Sequence, residues 1–195
     1  MELFRQTTRY TGSVAALLMI LHHFDKNVAL SKETEFLLWQ QTALLPLRSS
    51  SIYGLALVAK RHGLHPKVYE TDTAIAHPSY SATYTKTDID EARVMAKLFS
   101  KQARAEGIEL IEQQITFPFV EKLLNEKKIL LLRLDAGVYR KKRSVSKYFV
   151  CYKKQNSYCL IDPKVGELET TSEQLTTSLE NLSSQLGKDV KLIVF

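Results

Sequence analysis

Up to Thr11 the chain is mostly polar; from Val14 to Leu21 every residue is apolar. Val14, Leu17, Leu18 and Leu21 fall at helical spacing, and Ala15, Ala16, Met19 and Ile20 fill the remaining faces. A helix that is apolar all round lies inside a domain, with other elements packed about it. At about 11 residues it is too short for a membrane, which takes about 20. Its first turn, Thr11 to Ser13, is therefore expected near the centre of the molecule. Free N–H groups and the helix dipole favour negative charge there, which makes it a seat for a nucleophile.

The later pattern alternates helical and extended signals. Ser31 reads as an N-cap, with Glu33 in the first turn, for a helix whose Phe36, Leu37, Trp39 and Gln40 make it amphipathic. Ser49-Ser50-Ser51 reads as a loop and cap before a third helix, in which Ile52, Leu55, Val58 and Ala59 share a face and Gly63 ends the run. Lys67 to Glu70 predicts a short strand. Residues 71–87 lack periodicity and read as a lid or binding loop, with Tyr80 and Tyr84 as its contact residues.

Asp88 is read as the cap of a long helix that ends at Gly107, followed by a strand at 108–113 and a helix at 117–126 with Pro118 near its start. Ile129 to Leu134 is a continuous run interrupted only by Arg133, so a central strand is expected. A basic loop, Tyr139 to Arg143, leads into two strands across a Lys153-to-Ser157 turn. Asp162-Pro163 and Gly166 mark another turn, and a helix near 172–184 and a strand from Val190 to Val194 follow. Helices dominate the first two thirds and antiparallel strands the last, which is an α+β pattern. The organisation predicted is a single domain over 1–195, with a helical lobe at about 1–107 and a sheet lobe at about 108–195.

Charge changes the picture only in part. The net charge of +6 favours acidic partners, but 21 acidic residues are mixed among 27 basic ones, so a nucleic-acid surface is disfavoured. The two cysteines, Cys151 and Cys159, are read as reduced thiols, and their number and spacing make no metal site. No signal-type segment opens the sequence, so a cytoplasmic, bacterial-type setting is expected. No cofactor is expected.

The chain resembles the C39-peptidase-like branch of the papain-like cysteine proteases over nearly its whole length. Gln6, Thr7, Thr8, Thr11, Ala15, Ala16, Leu17, Leu18 and Met19 match that family's opening in register. Further matches are Glu35 to Trp39, Tyr53 to Leu57, Arg61 to Leu64 and Lys101 to Ile108. The resemblance implies a buried first helix packed on a C-terminal antiparallel sheet. It also implies a Cys nucleophile at the head of that helix, a His base on a facing strand, an Asp that orients the His, and a Gln that donates to the oxyanion. Mapped onto this chain, the oxyanion position is Gln6 and the orienting acid is Asp162, but the nucleophile position is Gly12 and the base position Tyr148. The family's Gly and Pro after the nucleophile are Ser13 and Val14.

Ser13 is one position along, about 100° around the helix from the site. Cys151 and Cys159 are three residues from Tyr148 and Asp162, so each faces the other side of its strand. All five histidines precede residue 78. The expectation is a pseudoenzyme that binds a peptide or an acidic protein segment in the emptied cleft, through Gln6, Gly12, Ser13, Tyr80, Tyr84 and Tyr148. Arg140, Lys141, Lys142, Arg143 and Lys147 are expected to overhang the same cleft. The alternatives are a hydrolase working through Ser13 or a cysteine, and an accessory subunit of an active protease or peptide-modifying enzyme.

Overall fold

The computed structural model describes residues 1–71, 84–155 and 157–195. Helix α1 spans Gly12–Phe24 and α2 Lys32–Thr42, and the short strands β1 (Ala43–Leu44) and β2 (Ser49–Ser50) then lead to α3 (Ile52–Arg61). Strand β3 (Lys67–Glu70), α4 (Lys86–Ala105), β4 (Glu109–Glu112), α5 (Phe117–Asn125) and β5 (Leu130–Asp135) follow. The remainder is α6 (Ala136–Arg140), β6 (Ser146–Lys154), β7 (Ser157–Asp162), β8 (Gly166–Thr170), α7 (Ser172–Ser184) and β9 (Lys191–Val194).

Seven strands form one sheet in the order β4-β3-β9-β5-β6-β7-β8, antiparallel at every pairing except β3 with β4. The architecture is α+β. The sheet's first two strands by position, β4 and β3, bracket α4 in sequence, so the sheet draws on residues well before the C-terminal hairpins.

The continuous run at β5 is explained by its place. It lies in the middle of the sheet and is covered on both faces, so Leu130, Leu131, Leu132 and Leu134 are all fully buried. Leu131 joins Val150, Ile161 and Ile193 against α1 and α3. Leu130 and Leu132 join Phe149, Leu160, Leu175 and Leu182 on the other face, with α5 and α7. Helix α1 is the centre of the first layer, with Val14 to Leu21 at most 1% exposed. Burying a leucine or isoleucine of this kind contributes roughly 2 kcal/mol.

Local signals behave as their chemistry requires, with some corrections. Ser31 accepts the Thr34 N–H at 3.1 Å and caps α2, and Gly63 and Gly107 turn the chain at φ +81 and +73 after α3 and α4. The buried face of α2, however, is Glu35, Leu38 and Thr42, while Leu37 points to solvent. Glu35 is inside because its carboxylate accepts the Thr7 N–H at 3.1 and 3.2 Å and the Thr7 hydroxyl. Helix α4 is capped by Thr85, and Asp88 is its N3 partner in a capping box. Residues 136–140 are helical, so the basic run begins on α6 and only its end is a loop. The loop centred on Tyr80 lies outside the described residues, as does His77.

Candidate functional site

The head of α1 opens onto a cleft of about 220 Å³. Gly12 and Ser13 form one wall, Tyr148 and Lys147 from β6 another, and Ser51 and Tyr53 at the head of α3 a third. Thr8 sets the approach: its hydroxyl accepts the N–H groups of Tyr10 and Thr11 at 3.3 Å and lies 2.9 Å from the Thr11 hydroxyl. The polar opening of the chain is thus a strap. Thr7 ties it to Glu35 on α2, and the Gln6 N–H donates to the Pro163 carbonyl at 2.9 Å.

Gln6 lies over Gly12. A Cβ built on Gly12 would sit 2.7 Å from Oε1 of Gln6, so the amide occupies the space beside which a nucleophile's side chain would start. Its Nε2 donates to the Thr8 carbonyl at 2.5 Å. Ser13 also lines the cleft. No histidine lines it among the described residues. His22 is occupied elsewhere, bridging the Val28 carbonyl at 2.8 Å and Glu2 at 3.0 Å.

Asp162 is not brought to Tyr148. Tyr148 packs with Val150 and Ile161 on the α1 face of the sheet, whereas Phe149 and Leu160 face α5 and α7. Alternation along β7 puts Asp162 on the side of Leu160. There the fully buried carboxylate accepts two hydrogen bonds from Arg140, Nε to Oδ2 at 2.7 Å and Nη2 to Oδ1 at 2.8 Å, and a third from the Lys164 N–H at 2.8 Å. Arg140 is 11% exposed. It belongs to a bidentate scaffold pair, not to an open docking loop.

The rest of the basic run also departs from expectation. Lys142 and Arg143 border a second depression with Lys164 and Leu186, which meets the cleft only at Ser146, Lys147's neighbour, and at Lys188. Lys141 is the left-handed residue that ends α6 and is exposed. Of the basic residues expected at the cleft, Lys147 alone lines it. Tyr84 stands behind the wall: its hydroxyl donates to the Leu47 carbonyl at 2.8 Å, and it packs on Leu47, Ile89 and Ala92, which do line the cleft.

Several cleft residues escaped the sequence reading. Arg133 is one, and its signal was a lone charge inside an otherwise apolar strand. It pairs across the sheet with Tyr148, and its Nε donates to the Ser146 hydroxyl at 2.6 Å. Lys188 and Lys191 are two more. Burial, then the charges of Arg133 and Lys147, lower Lys188 to about 8. Lys147 is lowered too, by burial and by Arg140 and Lys164.

Tyr53 donates its hydroxyl to Glu70 at 2.8 and 2.9 Å, and Lys191 donates to the same carboxylate at 2.8 Å. Burial and that carboxylate push the Tyr53 phenol well up. The thiols of Cys151 and Cys159 are buried and pushed up chiefly by that burial, so neither is a ready nucleophile. Among the described residues no cluster of His, Cys, Asp and Glu could hold a metal ion, and no helix is long and apolar enough to cross a membrane.

Compared with known families, the chain matches the model described as the Peptidase_C39 like family over residues 1–185. A search of the curated proteins finds no match.

Proposed function

Because the chain belongs to the Peptidase_C39 like family, we propose that it is an inactive member whose cleft holds a peptide segment without cutting it. One observation carries the reading: the space beside Gly12 is taken by the Gln6 amide while the cleft beyond it stays open. Peptide cleavage of this type needs a thiolate and an imidazole within hydrogen-bond reach of each other. Gly12 and Tyr148 hold those positions and supply neither. Binding needs less. Tyr10 and Tyr148, both half-buried, line the cleft and offer flat apolar area to a bound chain. Its cations suit a segment carrying negative charge.

Selection of displayed random-sequence peptides on the wild-type protein tests this. Selected peptides should bind about tenfold more weakly to Tyr148→Ala, the cost of losing one aromatic contact. Mass spectrometry after prolonged incubation should return them intact. Hydrolysis that disappears in Ser13→Ala would establish the rearranged hydrolase instead. Binding indifferent to Tyr148→Ala would remove the cleft from the account.

A further inference from the structure

The cleft is more anion-seeking than a plain peptide groove requires. Two helices present their N-termini to it, α1 through Gly12 and Ser13 and α3 through Ser51 and Ile52. Neither helix has a side-chain cap or an acidic residue in its first turn. Thr11 and Ser51 are N-cap residue types, yet neither hydroxyl takes up that role. The free N–H groups and dipoles of both helices therefore act on the same space.

Ser51 supplies an independent observation. It is 2% exposed, it lines the cleft, and its Oγ is the one buried side-chain polar atom without a hydrogen-bond partner among the described residues. A buried hydroxyl left unpaired costs about 1–3 kcal/mol, and such a group calls for a ligand atom.

The charges agree. Five cationic side chains line the cleft against one carboxylate-bearing residue, Asp189. Lys191 is committed to Glu70 and Arg93 to Asp90. Among the described residues no carboxylate is paired with Arg133, which donates to the Ser146 hydroxyl and, at 3.5 Å, to the Asp189 carbonyl. Lys147 and Lys188 line the same cleft; burial is the first cause that lowers Lys188, and the charges of Arg133 and Lys147 come second.

We propose that the cleft binds the free C-terminal carboxylate of a peptide, seated between the heads of α1 and α3 against Ser51 and Arg133. This deepens the peptide-binding reading and rests on it. The volume favours a chain end: about 220 Å³ is below the usual range for ligand pockets, roughly 300–1,000 Å³, and suits terminal residues better than a strand running through. Backbone N–H groups that converge on a small concavity are a recurring way to capture a terminal carboxylate. Arg133 adds a planar fork for a bidentate contact.

The test uses the full chain and two pools of random-sequence peptides, identical except that one ends in a free carboxylate and the other in a carboxamide. The acid pool should bind at least tenfold more tightly, with the advantage shrinking as salt rises. Ser51→Ala removes a hydroxyl that has no partner, so the variant should fold at least as stably as the parent while losing about tenfold for the acid pool only. Arg133→Gln should bring acid and amide pools to similar affinity. Equal binding of both pools that still depends on Tyr148 would overturn this inference and leave the peptide-binding reading standing. No binding of either pool would overturn both. An acid preference that survives Ser51→Ala and Arg133→Gln would overturn the seat proposed here.

Discussion

Replacing Arg140 by Met separates a scaffold role from a docking role. The substitution removes a guanidinium that is 11% exposed and leaves the carboxylate of Asp162, at 0% exposure, with only the Lys164 N–H. An exposed pair would contribute about 0–1 kcal/mol. Taking one partner from a buried pair costs about 3–5 kcal/mol, because the remaining charge is stranded. The bidentate geometry at 2.7 and 2.8 Å puts this pair in the second class. A loss of about 3 kcal/mol in a chain of this size lowers Tm by roughly 6–12 °C.

Asp162→Asn keeps an oxygen for the Lys164 N–H and removes the charge. The double variant Arg140→Met/Asp162→Asn should therefore recover part of the loss, giving a coupling energy of about 2 kcal/mol in urea unfolding. Peptide affinity at a temperature well below the variant's Tm should match the parent, since Arg140 does not line the cleft. A single-variant loss under about 1 kcal/mol would refute the buried-pair reasoning. Weakened peptide binding at unchanged stability would return Arg140 to the docking surface.

Three further outcomes follow from the same geometry. Lys188 sits at about 8 instead of its usual 10.5, so between those values the unfolded chain holds more protons than the folded one, and stability should rise with pH from about 8 to about 10.5. Lys188→Met should add about 1 kcal/mol at pH 7, after allowance for solvent screening, and flatten that rise in pH-dependent unfolding. Gly12→Ala should stay within about 1 kcal/mol of the parent, because the new Cβ meets only the movable end of Gln6; Gly137→Ala should cost about 2 kcal/mol or more, since there it meets the Lys142 carbonyl and the Ser144 backbone at 2.8–2.9 Å. Cys151 should stay unlabelled by a thiol reagent in the native protein and react only on unfolding, as its full burial and raised thiol require; rapid native labelling would contradict that.

What the sequence disclosed is what local physics can carry. The all-round apolar helix, the run at Ile129 to Leu134, and the glycines at 63 and 107 each reflect a constraint within a few residues, and each was legible. Strand β8, where exposed Glu167 and Glu169 alternate with Gly166, Leu168 and Thr170 at the sheet edge, has too weak an apolar signal to be seen. Arg140 was misplaced because a run of basic residues looks alike whichever member is turned inward; the short helix after β5 decides it. Ser51 is subtler. Its type and position fit a helix cap, and only the three-dimensional arrangement shows the hydroxyl unused. At the site, the register of Gln6 with Gly12 was implied by the resemblance to the C39-peptidase-like family, while the separation of Tyr148 from Asp162 by the sheet depended on a strand pairing that spacing alone does not give.

The strap at the start of the chain also bears on the order of folding. Gln6 is held by the Pro163 carbonyl, and the Arg5 guanidinium reaches the Val165 carbonyl at 3.4 Å, a contact spanning 160 positions. Such contacts close very long loops, at a large entropic cost, and form after the local hairpins that reward them. The β7–β8 turn must therefore be in place before Gln6 can settle over Gly12. Helices α2 and α3 and strands β3 and β5 precede β6 in sequence, so the core around α1 can close only in part before β6 joins the sheet. The cleft thus joins residues far apart in the sequence, and its maturation should lag behind collapse of the two cores.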